Sequence, residues 1–202
     1  AIELVGRLWA EDRVTFDGQY YQTRNATVYD KPEQPVPLYV AGSGPAAARL
    51  AGRVADGFIC TSGKAPNLYS ETLLPAVMGG IGKAERDPNE VELMIEMKVS
   101  FDSDRDRAQA DTKHWAALAL SPEEKTGVED PLEMERLADE LPVERAATRW
   151  IVSDDPDEQV ERIKSYLALG FTHLVFHAPG PDQERFLRLY AKEVLPRLRA
   201  LA

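Results

Sequence analysis

The sequence holds a single cysteine, Cys60, among 202 residues. Neither a disulfide framework nor a cysteine-based zinc cluster can be built from it, and a reducing cytoplasm suits such a chain. Positive charge is also scarce, with 24 Lys and Arg against 34 Asp and Glu and a formal charge of -10. Duplex nucleic acid and anionic membranes both demand a basic face, so neither is an expected partner. No apolar run approaches a membrane span, and no charged-then-apolar leader with a cleavage site is legible. An initiator Met is missing too. The opening AIELVGRLW, with Ile2, Val5, Leu8 and Trp9 at helical spacing, reads as the middle of a helix and suggests a chain that has lost its beginning.

What is present is ordinary for a soluble globular protein: 44% hydrophobic and 29% charged residues, enough for one domain or part of a larger one. A helix to about Ala10 is followed by TFDGQYYQTRNATVYD, where Asp17-Gly18 marks a short hairpin. After Pro32, Pro35 and Pro37 comes VPLYVAG, a continuous apolar strand of the buried parallel type. Pro45 opens a helix to about Ala55, and GFICTS is a second buried strand. A helix from about Asn67 to Lys83 is bent at Pro75 and ended by Gly79, Gly80 and Gly82. VELMIEMKVSFD is a longer strand, and charged helical segments cover Asp104 to about Leu118 and Pro131 to Thr148. In DPDEQVERIKSYLALG, Asp155 caps a helix, Pro156 takes its first position and Gly170 stops it. FTHLVFHAPG is the last strand and Gln183 to Leu201 the last helix. Alternating strand and helix implies an α/β fold with a parallel sheet and right-handed crossovers. About four such strands are visible. Half of a (β/α)8 barrel would leave naked sheet edges, so the expected remainder precedes residue 1.

Ligands of parallel α/β folds sit at the carboxyl ends of the strands, where two small turns fall. Gly42-Ser43-Gly44-Pro45 runs into a helix whose first N–H groups lack partners, a natural seat for phosphate. The same turn also serves as a plain strand-to-helix connection. It is no nucleotide P-loop, because the Lys-Ser/Thr pair is absent. Thr61-Ser62-Gly63-Lys64 adds a hydroxyl and an ammonium at the next strand end. Lys125 in SPEEK and Arg149 in ATRW carry no motif, and each alone reads as a solvated or ion-paired side chain.

Strand alternation in VELMIEMKVS turns Met94, Glu96, Lys98 and Ser100 to one face and Leu93, Ile95, Met97 and Val99 to the other. In a barrel Glu96 and Lys98 would point inward, as a structural ion pair or as a lower wall of the site. His173 and His177 share a face of the last strand, and His177 ends it, where barrel enzymes place chemistry; a hydrogen-bonded core histidine is the commoner reading. His114 carries no usable signal. DSDRDR and SDDPDE read as helix caps and solvated faces.

Taken in order, YYQTRNATVYD, GSGPAAA, ADGFICTSGK, MIEMKVSFD, RWIVSDDPDE and HLVFHAPG resemble the F420-dependent glucose-6-phosphate dehydrogenases of the bacterial luciferase-like superfamily. The resemblance runs over essentially the whole chain. It implies a (β/α)8 TIM barrel of which residues 1–202 supply roughly the C-terminal half, as part of a single domain. The tail phosphate of coenzyme F420 would rest on Ser43, Gly44, Ala46 and Ala47. The family often has two glycines where Ser43-Gly44 stands, and a serine keeps the backbone N–H. The 6-phosphate of glucose 6-phosphate would be gripped by Thr61, Lys64, Lys125 and Arg149. Hydride would pass from C1 of the sugar to the deazaflavin, giving 6-phosphogluconolactone. The family's catalytic His and Glu match no position here, so this chain alone would carry binding residues and be inactive. The resemblance also implies a cytoplasmic homodimer.

Two other readings stand beside this one. Another luciferase-like oxidoreductase could use the deazaflavin or FMN on a different substrate, with no reason to keep Thr61, Lys64, Lys125 and Arg149 together. A non-catalytic half-barrel could bind phosphates or a partner chain only.

Overall fold

The computed structural model describes residues 1–201, in two units: 1–58 with 72–92, and 59–71 with 93–201. In the first, helix α1 (Ile2–Ala10) buries Leu4. Strands β1 (Val14–Asp17) and β2 (Gln22–Ala26) form the expected antiparallel hairpin, closed where Gly18 N–H donates to Tyr21 O at 3.1 Å. Strand β3 (Tyr39–Ala41) is shorter and more exposed than VPLYVAG suggested. Pro35 and Pro37 have no N–H to give, and the N–H of Leu38 goes to Asp56 Oδ2 at 2.7 Å. Helix α2 (Pro45–Val54) follows, then the start of β4 (Gly57–Thr61) and helix α3 (Leu74–Lys83).

The glycines of α3 do not end it, contrary to the sequence expectation. A Cβ on Gly80 would stand 2.2 Å from Arg49 O, and one on Gly52 2.1 Å from Val77 O. Glycine is there so that the two helix backbones can touch. Arg86 then donates to the carbonyls of Gly52 (3.1 Å) and Ala55 (2.8 Å), satisfying the C-terminal end of α2.

The second unit is built on β5 (Glu92–Phe101), the strand that the alternating pattern identified. Ile95, Met97 and Val99 are fully buried on one face. Next come α4 (Arg105–Asp111), α5 (Pro122–Lys125), α6 (Pro131–Asp139) and α7 (Val143–Ala147). They are followed by strand β6 (Ile151–Ser153), α8 (Pro156–Leu167), β7 (His173–His177), α9 (Gln183–Leu189) and α10 (Leu195–Arg199). β5 pairs in parallel with β7, from Met94↔His173 to Lys98↔His177, and with β6, from Val99↔Ile151 to Phe101↔Ser153. The end of β4 lies beside it, with Ser62 N–H donating to Glu96 O at 2.8 Å.

β6 adds a parallel strand to the four expected. Three residues are too few to show a period. The helix foreseen from Asp104 to Leu118 stops at Asp111 and continues as 3-10 turns over Thr112–Ala119, kinked at Trp115 (φ -125°, ψ 28°). A satellite core of Ala116, Leu120, Ala138, Leu141 and Ala146 forms beneath it. Both helices that carry an internal proline widen to a π turn just before it, Leu68–Leu73 ahead of Pro75 and Tyr190–Val194 ahead of Pro196. The wider turn accommodates a missing donor and a ring. α8 is capped as read: the Asp155 carboxylate accepts from Asp157 N–H at 2.8 Å, and Gly170 takes φ +99°. Such a cap contributes about 1 kcal/mol. Among the described residues no helix is long and apolar enough to cross a membrane.

Candidate functional site

In the first unit, the turn after β3 is shaped by its glycines. A Cβ on Gly42 would lie 2.6 Å from the Cβ of Ala47, so glycine is needed for the chain to fold back onto α2. Gly44 is the N-cap, in extended conformation (φ -138°, ψ 161°), and a Cβ there would meet nothing within 4 Å. The first helical bond runs from Ala48 N–H to Gly44 O at 3.2 Å. The N–H groups of Ala46 and Ala47 precede it and have no carbonyl within the helix. Ser43 and Ala46 are exposed, and the first turn of α2 carries no acidic residue. An anion can reach this turn, and the helix dipole favours it there.

In the second unit, the turn after β4 is locked from both sides. Ser62 is buried, and its Oγ accepts from Lys98 N–H at 2.7 Å. Gly63 takes φ +73°, and a Cβ there would stand 2.4 Å from Arg149 O, so the position is closed to any side chain. This contact brings the backbone of Lys64 next to that of Arg149. Tyr69 Oη accepts from Lys64 N–H at 3.2 Å and donates to Thr61 O at 2.8 Å. Tyr166 Oη accepts from Gly63 N–H at 3.4 Å, and the two tyrosine rings meet edge to face at 5.6 Å.

Lys125 comes from a separate segment. Ser121 and Glu124 form a capping box at the start of α5. Arg145 on α7 donates to Glu124 Oε1 at 2.8 Å and to Ala119 O at 3.2 Å, which ties α5 to the helix that leads into Arg149. The Arg145 guanidinium, and then the Ser121 N–H, hold the Glu124 carboxyl down at about 2.

Gly63, Lys64, Lys98, Arg149, Trp150 and Tyr166 line a cleft of about 450 Å³. Burial is the largest influence lowering the Lys64 ammonium below its usual value, followed by the positive charges of Arg149, Lys125 and Lys98. Among the described residues, Lys64, Lys125 and Arg149 form no ion pair. Arg149 Nε is buried without a hydrogen-bond partner. Lys98 is 5% exposed and meets Glu96 Oε1 at 3.5 Å, an oxygen that also bonds His177 Nδ1 at 2.7 Å. Desolvation lowers the Lys98 ammonium and Glu96 partly restores it. The His177 ring sits edge-on to Trp115 (4.7 Å) and Trp150 (5.1 Å), as a hydrogen-bonded structural histidine.

Of the residues singled out in the sequence, Lys64 and Arg149 thus face one cleft; Lys125 does not line it, although its charge acts on Lys64. Thr61 stands at the end of β4 with its hydroxyl donating to Ser62 O at 3.3 Å, and it does not line the cleft. Ser43, Gly44, Ala46 and Ala47 gather at the other turn, in the first unit. Sequence reasoning missed Trp150 and Tyr166. Lys98 is both the partner of Glu96 and a wall of the cleft, the two roles that the alternation left open. A metal is not evident in this geometry: among the described residues no three His, Cys, Asp or Glu groups converge to hold one. What the cleft offers is Lys64 and Arg149, without a paired carboxylate among the described residues, beside Lys98 and Arg162, which each have one, a set suited to a multiply charged anion.

Known proteins share this arrangement of chain. A protein of Nakamurella multipartita named F420-dependent glucose-6-phosphate dehydrogenase is 66% identical over 201 residues, 100% of this chain and 59% of its own. One of Beutenbergia cavernae with the same name is 66% identical over 200 residues, 99% of this chain and 60% of its own. The chain therefore spans about 60% of the length of these curated relatives. Among solved structures, an F420-dependent secondary alcohol dehydrogenase in complex with an F420-acetone adduct superposes with a TM-score of 0.84 at 29% identity, over 98% of this chain and 60% of that one. The coenzyme F420-dependent tetrahydromethanopterin reductase from Methanopyrus kandleri gives 0.74 at 26% identity, over 97% and 61%. The α/β chain with its parallel strands is thus part of a luciferase-like TIM barrel. The model of the luciferase-like monooxygenase family matches residues 1–173, and the chain belongs to that family.

Proposed function

We propose that this chain is the phosphate-binding, C-terminal part of a single barrel domain in an F420-dependent glucose-6-phosphate dehydrogenase. The observation that carries the reading is that Lys64 and Arg149 line one cleft within reach of the charge of Lys125, from three separate segments, with no carboxylate paired to them among the described residues of a protein of net charge -10. A sugar phosphate near neutral pH is a dianion, and several charge-assisted donors hold it better than one. Arg149 offers a planar fork and its unpartnered Nε, while Lys64 and Lys125 act as point charges. Thr61 stands at the same strand end, and its hydroxyl would have to leave Ser62 O to reach the anion. The names of the relatives that are 66% identical support the same substrate.

The turn of the first unit fits the tail phosphate of coenzyme F420. Gly44 leaves open space where a side chain would stand, and the N–H groups at Ser43, Gly44, Ala46 and Ala47 can meet an oxyanion there. Bound, the coenzyme supplies the hydride acceptor. This chain's own residues hold the two phosphates, which fixes where C1 of glucose 6-phosphate lies as it becomes the 6-phosphogluconolactone. The proton-transfer groups belong to the rest of the barrel, and the protein works as a cytoplasmic homodimer on this reading. Coenzyme reduction by the full-length enzyme tests it, followed by absorbance with glucose 6-phosphate or glucose as donor. The expected result is strong preference for the phosphorylated sugar. Equal kcat/KM for the two would contradict the reading.

A further inference from the structure

Two cations outside the expected phosphate grip also line the cleft: Arg162, which lies 4.0 Å from Glu158 Oε1, and Lys98. Lys98 is only 5% exposed, and it lines the same cleft as Lys64 and Arg149. Its backbone is fixed, with its N–H on Ser62 Oγ at 2.7 Å and β5 pairing with β7 at that residue. Its charge is only partly answered. The ammonium lies 3.5 Å from Glu96 Oε1, longer than a good ammonium–carboxylate contact, and that oxygen already bonds His177 Nδ1 at 2.7 Å. A closed structural pair would bring ammonium and carboxylate together, because a buried charge is costly unless well paired. Here one carboxylate oxygen is shared between two partners, and among the described residues the neighbouring cations Lys64 and Arg149 have no carboxylate of their own.

We propose that Lys98 is a direct contact of the anion in this cleft, a fourth cation beside Lys64, Lys125 and Arg149. Glu96, steadied by His177 between Trp115 and Trp150, holds the ammonium while the cleft is empty. When a dianion enters, Lys98 keeps the long contact to Glu96 and gives its remaining N–H groups to the ligand. The consequence is selectivity by charge. A dianionic sugar phosphate gains from all four cations, whereas a neutral sugar of the same shape leaves three of them and the Lys98–Glu96 pair as they were. The proposal deepens the sugar-phosphate reading given above and rests on it.

The test uses the full-length enzyme and three variants: Lys98→Met, Arg149→Ala, and the double variant Glu96→Gln/Lys98→Met. The double variant removes both charges and so leaves no unpaired carboxylate if the single one fails to fold. KM and kcat are measured for glucose 6-phosphate and glucose, with inhibition by inorganic phosphate and coenzyme F420 titration alongside. Loss of one charge-assisted contact is expected to raise KM for the sugar phosphate and Ki for phosphate by about 10-fold or more in both Lys98 variants. Coenzyme affinity, which is read at the turn of the first unit, should change by less than about 2-fold. Lys98→Arg, which keeps the charge, should recover part of the loss. If the Lys98 variants lose only thermal stability and keep phosphate affinity while Arg149→Ala loses it, Lys98 is purely structural and the proposal fails alone. If Arg149→Ala also keeps its affinity, the sugar-phosphate reading itself has failed.

Discussion

The second unit treats buried charge in two opposite ways. At the end of β5, Asp102 is 4% exposed and closed: Arg185 donates to both its oxygens at 2.5 and 2.7 Å, Asp104 N–H adds a bond at 3.0 Å, and Arg107 lies 3.6 Å away. The hollow beside it measures about 10 Å³. At the end of β4, Lys64 and Arg149 face about 450 Å³ with no paired carboxylate among the described residues. A closed cluster stabilises the fold and has nothing left to give a ligand. An open one costs stability and is kept where a ligand completes it. Charge density alone would not separate the two; pairing and room do.

The sharpest break in that contrast is Arg149→Ala in the full-length enzyme. It should weaken sugar-phosphate binding by about 2–5 kcal/mol, the range for truncating one partner of a desolvated charged contact, with coenzyme affinity kept. Titration calorimetry of both ligands separates the outcomes, and loss of coenzyme binding with normal sugar-phosphate affinity would count against the assignment.

The reverse signature belongs to Asp102→Asn. Arg185 is partly exposed, so the loss is that of charged hydrogen bonds, about 2–3 kcal/mol of folding stability in urea, with ligand binding unchanged. The pH dependence follows. The Arg185 hydrogen bonds hold the Asp102 carboxyl at about 2, well below its ordinary value. A depressed carboxylate stabilises the fold above about pH 4, and that contribution fades as pH falls towards about 2. Acid titrations of stability should show this step in the parent protein and a smaller one in Asp102→Asn.

Gly63→Ala sharpens the comparison from the backbone side. The left-handed φ and the 2.4 Å approach to Arg149 O make it destabilising by about 1–3 kcal/mol, and it should also weaken phosphate binding by moving Lys64 from Arg149. Normal stability and affinity would show that the turn adapts freely. Gly44→Leu should be the mildest for folding, within about 0.5 kcal/mol, since open space receives the side chain. Its effect belongs to coenzyme titration, about a tenfold loss for a displaced charged hydrogen bond.

Legibility in the sequence follows the range of the physics. Asp155, Pro156 and Gly170 were readable because a cap is made within a few residues. The two faces of β5 were readable because alternation is local. Gly80 was misread as a helix end because its reason lies in Arg49, far along the chain. Asp102, taken as part of a solvated run, is buried because Arg185 from α9 reaches it. Ile151–Ser153 was overlooked because its strand character comes from pairing with β5. Lys64, Lys125 and Arg149 are unremarkable side chains one at a time. Resemblance suggested grouping them, and the packing of Gly63 on Arg149 with the Arg145–Glu124 tie is what brings their charges together.

The central claim is that these cations share one anion, and a double-mutant cycle on the full-length enzyme tests it most directly. Glucose 6-phosphate affinity is measured for the parent, Lys64→Met, Arg149→Ala and the double variant. The account predicts that the losses are coupled by more than about 0.5 kcal/mol, as for residues holding a common partner. Losses that simply add would mean that Lys64 and Arg149 act at separate places, and would contradict it.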